Sequence, residues 1–248
     1  MKLLKFKPDK TTVTAFAIGI AIIVLSFAMT LFDGSEIETV MHIVFRDFLM
    51  IFVMGFCLPI LYVRRNEPTK YEVLGFTKRK LKISLILNVL FSVLLLAQFV
   101  FSADAPISIS INIIFAITYI FVAGIFEMIC IYGFIRHYLE RAFGIIPAIL
   151  LTALIYSFHH AGFQPEFLEL FFVGILYCSV FYITRNIFII FPFFWGVGAV
   201  WDVLVDSTAG QSIQNVTSFI VAVGLLIAML LFVLVKGKDY GRKNKIKE

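Results

Sequence analysis

Runs of about twenty mostly apolar residues recur along the whole chain, and that is the length a helix needs to cross a bilayer. On this rule the 248-residue sequence divides into eight spans: 12–32, 40–63, 83–101, 107–138, 145–160, 165–185, 187–205 and 216–235. Composition agrees. Hydrophobic residues make up 61% and charged residues 15%, against about 25% charged in a soluble domain. The expected fold class is an all-α polytopic membrane protein, a single bundle of about eight transmembrane helices, with residues 1–248 forming one membrane domain. The first run exceeds the 7–15 apolar residues of a signal-peptide core and lacks a small-x-small cleavage site, so it is expected to remain as a span.

The charged residues set the orientation. Lys and Arg gather in the leader 1–10, the loop 64–82, the segment 136–141, Arg185 and the tail 236–248. With eight spans all five lie on one side, which the positive-inside rule makes cytoplasmic, both termini included. The alternate loops 33–38, 102–106, 161–166 and 206–215 carry acids and no Lys or Arg. The formal charge of +5 is therefore topological, and no nucleic-acid partner is indicated. The basic segments are expected to contact anionic lipid head groups. Cys57, Cys130 and Cys178 sit inside apolar runs without metal-ligand spacing, as core side chains do.

Against this background Glu127 stands out, a lone carboxylate within an apolar segment. A charged side chain at the centre of a bilayer costs about 2.5–3.5 kcal/mol on insertion scales, so it faces the protein interior and has a partner. The other out-of-place polar residues are His159 and His160 late in the fifth span and Asp202 in the seventh. Glu127 would serve as a general base, a histidine as ligand or electrostatic partner, and Asp202 as an orienting group. Buried polar residues that only bond helices together are the structural alternative. Adjacent histidines project about 100° apart on a helix, so one of the pair is expected to face a given partner. If segment 136–141 ends the fourth span, straight helices leave Glu127 and His160 offset in depth by ~7 Å. Arg46 and Asp47 are expected near the outer interface, and His42 and His137 at the ends of spans.

The order of these features resembles the CPBP family of intramembrane proteases, also called the Abi or CAAX-protease family, over roughly residues 71–202. That family carries Glu-Glu-x-x-x-Arg-Gly on one helix, Phe-x-x-x-His on the next and His-x-x-x-Asn or Asp on a later one. Glu127 aligns with the first Glu and Gly133 with the motif glycine, while Met128 and Tyr132 stand where the second Glu and the Arg are expected. Tyr156 and His160 match the second motif with Tyr in place of Phe. Asp202 can supply the third, with Gly198 at the histidine position.

The resemblance implies an intramembrane endopeptidase acting on a membrane-associated protein or peptide, with Glu127, His160 and Asp202 catalytic and His159, Tyr132 and Tyr156 supporting. It leaves the cofactor open, a divalent metal such as zinc at His160 and Glu127 being the candidate. The alternative it implies is a catalytically inactive relative that binds a membrane peptide, as a bacteriocin-immunity or maturation partner.

Overall fold

Asp9 starts the first helix. Its side chain accepts from the backbone N–H groups of Thr11 and Thr12, while the Thr12 hydroxyl accepts from the Asp9 N–H, a reciprocal cap for α1, Lys10–Thr30. The Thr11 hydroxyl and the Thr12 N–H hold the Asp9 carboxyl down at about 2, below the ordinary 3.8. The computed structural model describes residues 2–68, 70–102, 111–160 and 167–200, with Gly224, Ile227, Ala228 and Leu231, and no strand occurs among them.

Helix α2 runs Glu38–Asn66. Its middle, His42–Cys57, has the wider π-helical period, and the Leu58 N–H bonds back five residues to Val53. Helix α3 is Leu81–Ser102. Helix α4 is a continuous run of three segments, α-helical Ile111–Phe126, π-helical Glu127–Ile135 and α-helical Arg136–Phe143. Then follow α5, Ile145–Phe158, α6, Phe167–Thr184, and α7, Phe193–Val200.

Five helices among the described residues are long and apolar enough to cross a membrane: Lys10–Thr30, Glu38–Asn66, Leu81–Phe101, Ile120–Phe143 and Phe167–Thr184. The protein is thus an all-helical integral membrane protein. Helix α5 is a shorter apolar helix, and the eighth run lies almost wholly outside the described residues.

The fourth span does not end at the polar segment 136–141 as expected. It continues as helix to Phe143 because its charges neutralise each other inside the protein. The Arg136 guanidinium donates to the Tyr132 carbonyl at 2.7 Å and meets the Glu140 carboxylate at 2.5 Å, with both side chains 2% exposed. The chain turns instead at Gly144, where φ is +89° and a Cβ would press on the Lys2 and Leu3 carbonyls. Those two residues belong to a leader strap that closes both helix ends. Lys5 and Lys7 donate their backbone N–H to the last carbonyls of α4, Phe143 and Ala142. The Lys2 and Leu3 carbonyls accept from Ile145 and Ile146 at the start of α5. Helix termini leave such groups without intrahelical partners, and here one strand of chain satisfies both sets.

The chain divides into two compact units, residues 1–77 with 125–178 and residues 78–124 with 179–248. In the first, α1, α2, α5 and the later part of α4 pack around a core of Met128, Ile129, Tyr132, Phe134 and Tyr138, all 2% exposed or less. Gly133 lets α4 pass close to the Leu74 backbone, where a Cβ would stand 3.0 Å from the carbonyl oxygen. Arg141 meets Glu67 at 2.8 Å and Asp9 at 3.7 Å in the same unit.

The second unit pairs α3 with α7 and the turn Ile187–Ile189. The expected span 187–205 is interrupted: that short 3-10 turn precedes Pro192, and α7 starts only at Phe193. Unwound backbone in a membrane needs other partners. The buried Asn88 supplies them, donating to the Phe188 and Phe191 carbonyls at 3.0 and 2.9 Å and accepting from the Phe194 N–H at 2.7 Å.

Candidate active site

Glu127 is the first residue of the π-helical segment of α4 and is 7% exposed. Facing it is the end of α5. Measured from the true turn at Gly144, Glu127 lies seventeen residues back and His160 sixteen residues on, so the two fall at nearly one depth. The expected offset vanishes because α4 runs on to Phe143. The nearest nitrogen of His160, Nε2, lies 3.7 Å from Glu127 Oε1, and His159 Nε2 lies 3.6 Å from the same oxygen.

Both histidines therefore face one carboxylate, where regular helix geometry predicts that one would. Helix α5 ends at Phe158. His159 caps it with ψ −12°, and the His160 N–H bonds three residues back to Ser157. Both residues stand at the last turn of α5, where no following turn of helix covers them and both rings reach the carboxylate. Their rings lie 3.9 Å apart between centroids. Ser26 of α1 fixes this exit by donating its hydroxyl to the His159 carbonyl, and Ser157 donates to the Phe167 carbonyl at 2.6 Å.

The ring nitrogens are assigned by their partners. His160 Nδ1 is 2.8 Å from the Tyr156 carbonyl, which can only accept, so Nδ1 carries a proton. In the neutral ring Nε2 then presents a lone pair toward Glu127. His159, 8% exposed, has its Nε2 buried without a hydrogen-bond partner. The His160 lone pair beside a carboxylate oxygen requires a proton, a donor or a cation between them, and the unpartnered His159 Nε2 stands 3.6 Å from the same oxygen as a further donor or ligand.

A divalent cation fits this donor set. One ring nitrogen of each histidine and a Glu127 oxygen lie within 4.8 Å of one another. Ligands about 2.0–2.1 Å from tetrahedral zinc stand ~3.4 Å apart, close to the two distances found. The Nδ1–carbonyl bond of His160 is the outer-shell support that metal-bound histidines have. The orphaned Nε2 of His159 is what favours the fit, and it adds His159 to the donors expected from sequence, His160 and Glu127.

Aromatic side chains close around the group. The Tyr156 ring is 4.8 Å from that of His160, 5.6 Å from that of His159 and 5.4 Å from that of Tyr132. Tyr177 of α6 lies 5.8 Å from Tyr132. Tyr132 and Tyr177 are both within electrostatic reach of Glu127. Sequence reasoning passed over Tyr177; the only signal was a hydroxyl in an apolar run. Asp202 lies outside the described residues. Elsewhere, Arg46 pairs with Asp47 at 2.9 Å, half-exposed in α2.

A buried carboxylate facing two imidazoles inside a helical membrane protein is a group of side chains able to take up and release protons. Residues 108–200 match the family model described as type II CAAX prenyl endopeptidase Rce1-like, which bears out over that stretch the resemblance to the CPBP, or Abi, family. No curated protein and no solved structure matches the chain.

Proposed function

We propose that the protein is an intramembrane endopeptidase that hydrolyses a peptide bond of a membrane-associated, CAAX-type protein or peptide. The observation that carries this reading is the meeting of Glu127, His159 and His160 at one buried point, within the stretch similar to prenyl endopeptidases. Glu127 accepts a proton from water as the water oxygen bonds to the scissile carbonyl carbon and the carbonyl pair moves onto its oxygen. The C–N bond then breaks, and the departing amine takes the proton from Glu127. His159 and His160 hold the water against Glu127. A divalent cation bound by the same three donors would polarise the carbonyl. Asp202 is assigned an orienting role, and eight spans with both termini in the cytoplasm complete the reading.

The test follows a prenylated CAAX peptide by mass spectrometry in vesicles of defined lipid. Glu127→Gln keeps the shape of the base without its proton affinity and is expected to lower cleavage by about 10²–10⁴-fold, as is His160→Ala. Wild-type vesicles that cleave nothing, or a Glu127→Gln variant as active as wild type, would sink the protease reading in favour of a peptide-binding relative, for which Met128 and Tyr132 at the altered motif positions speak.

A further inference from the structure

We propose that Tyr132 is a catalytic residue whose hydroxyl donates a hydrogen bond to the oxyanion formed at Glu127; this rests on the endopeptidase reading. Three observations carry it. First, the Tyr132 side chain is 0% exposed and its hydroxyl has no hydrogen-bond partner among the described residues. A buried hydroxyl without a partner is costly, and a bound acceptor would relieve the cost.

Second, the backbone is shaped to bring that hydroxyl to the site. Five residues separate Glu127 from Tyr132, and at 100° per residue an α-helix would turn them about 140° apart. The segment Glu127–Ile135 is π-helical, and its wider turn brings Tyr132 closer to the face of Glu127 than an α-helix would. At its end the Arg136 N–H is shared between the Ile131 carbonyl five residues back and the Gly133 carbonyl three residues back. Arg136 also steadies the segment, its side chain donating to the Tyr132 carbonyl.

Third, the phenol is locked among the residues of the site. Its ring lies against Tyr156, which itself packs on both histidines, and against Tyr177. Both imidazoles can be committed to Glu127, or to a cation with it, leaving the carbonyl oxygen of a substrate in need of a donor. In the hydrolysis written above, the pair that moves onto that oxygen is met by the Tyr132 O–H, which stays protonated throughout. A neutral phenol performs this task without adding charge to a low-dielectric interior.

The experiment compares Tyr132→Phe with wild type and Glu127→Gln in the same vesicles, by cleavage and by calorimetric binding of a peptide phosphinate, whose tetrahedral P–O⁻ imitates the oxyanion. Tyr132→Phe keeps the ring, so unfolding temperature is expected to stay level or rise as the orphaned hydroxyl is removed. kcat is expected to fall about 10²–10³-fold, with KM within twofold of wild type. Phosphinate affinity should fall by a similar factor, and bound metal content should stay unchanged. Equal phosphinate affinity in Tyr132→Phe and wild type, or a kcat within threefold, overturns the proposal. Wild type that binds phosphinate through Tyr132 yet cleaves nothing would sink the endopeptidase reading while leaving Tyr132 as the donor to a bound oxyanion.

Discussion

Arg136 and Glu140 form an ion pair with both side chains 2% exposed, which neither residue could sustain alone in such surroundings. Removing one partner of a buried pair typically costs about 3–5 kcal/mol, because the other is left charged and unpaired, whereas apolar replacement of both is often neutral. Arg136→Met alone is therefore expected to lower the unfolding temperature in detergent sharply, and Arg136→Met with Glu140→Leu to recover most of the loss. Recovery should stop short of complete, since Arg136 also holds the Tyr132 carbonyl. A double variant as unstable as the single would show that the pair acts through bonds other than their mutual one. This pair also marks where sequence reasoning stopped. In sequence Arg136, His137, Glu140 and Arg141 read as a water-facing connection, and nothing in residue type tells a solvated charge from one neutralised four residues away. Glu127, by contrast, was legible because it had no neighbour of opposite sign in its own run, which left a buried partner on another helix as the physical solution.

The helices place the site by departing from regular geometry. Glu127–Ile135 is π-helical and α5 unwinds at His159, and each departure changes which side chains meet. The sequence reading used 1.5 Å and 100° per residue throughout. It therefore predicted a choice between the histidines, which does not occur, while the predicted offset between Glu127 and His160 came from ending α4 too early. Hydropathy gives the length of a helix and says little about its hydrogen-bond period; only Tyr132, a polar residue five from Glu127, hinted at it. The start of α5 depends on the turn at Gly144, whose positive φ and lack of a Cβ admit the leader strap. Gly144→Ala is expected to displace the strap. Measured by amide hydrogen exchange, the N–H groups of Lys5, Lys7, Ile145 and Ile146 should lose protection together, while those in the middle of α2 keep theirs. Unchanged protection at Lys5 and Lys7 would mean that the strap holds by its side chains.

At the scale of the molecule, an all-helical membrane protein was readable from the recurrence of apolar runs, and five runs appear as long apolar helices. The seventh was not readable as a broken element, because the apolar stretch continues through Pro192 while the polar residue that stabilises the break, Asn88, lies some hundred residues earlier. The charge pattern still yields a test of topology. Tags at both termini are expected to be shielded from protease in right-side-out vesicles and cleaved in inverted ones, as eight spans with cytoplasmic ends require. One exposed terminus in right-side-out vesicles would make the number of spans odd.

The leader strap has a consequence for how the protein is made. Helix α1 leaves the ribosome early, yet the backbone groups that its leader will cap belong to residues 142–146. Until those residues emerge, at ~5–20 residues per second, the leader has none of these partners. The end of α4 and the start of α5 can therefore be sealed only by a segment made long before them, and the histidines at the far end of α5 stand on a helix whose entry is closed by that earlier segment.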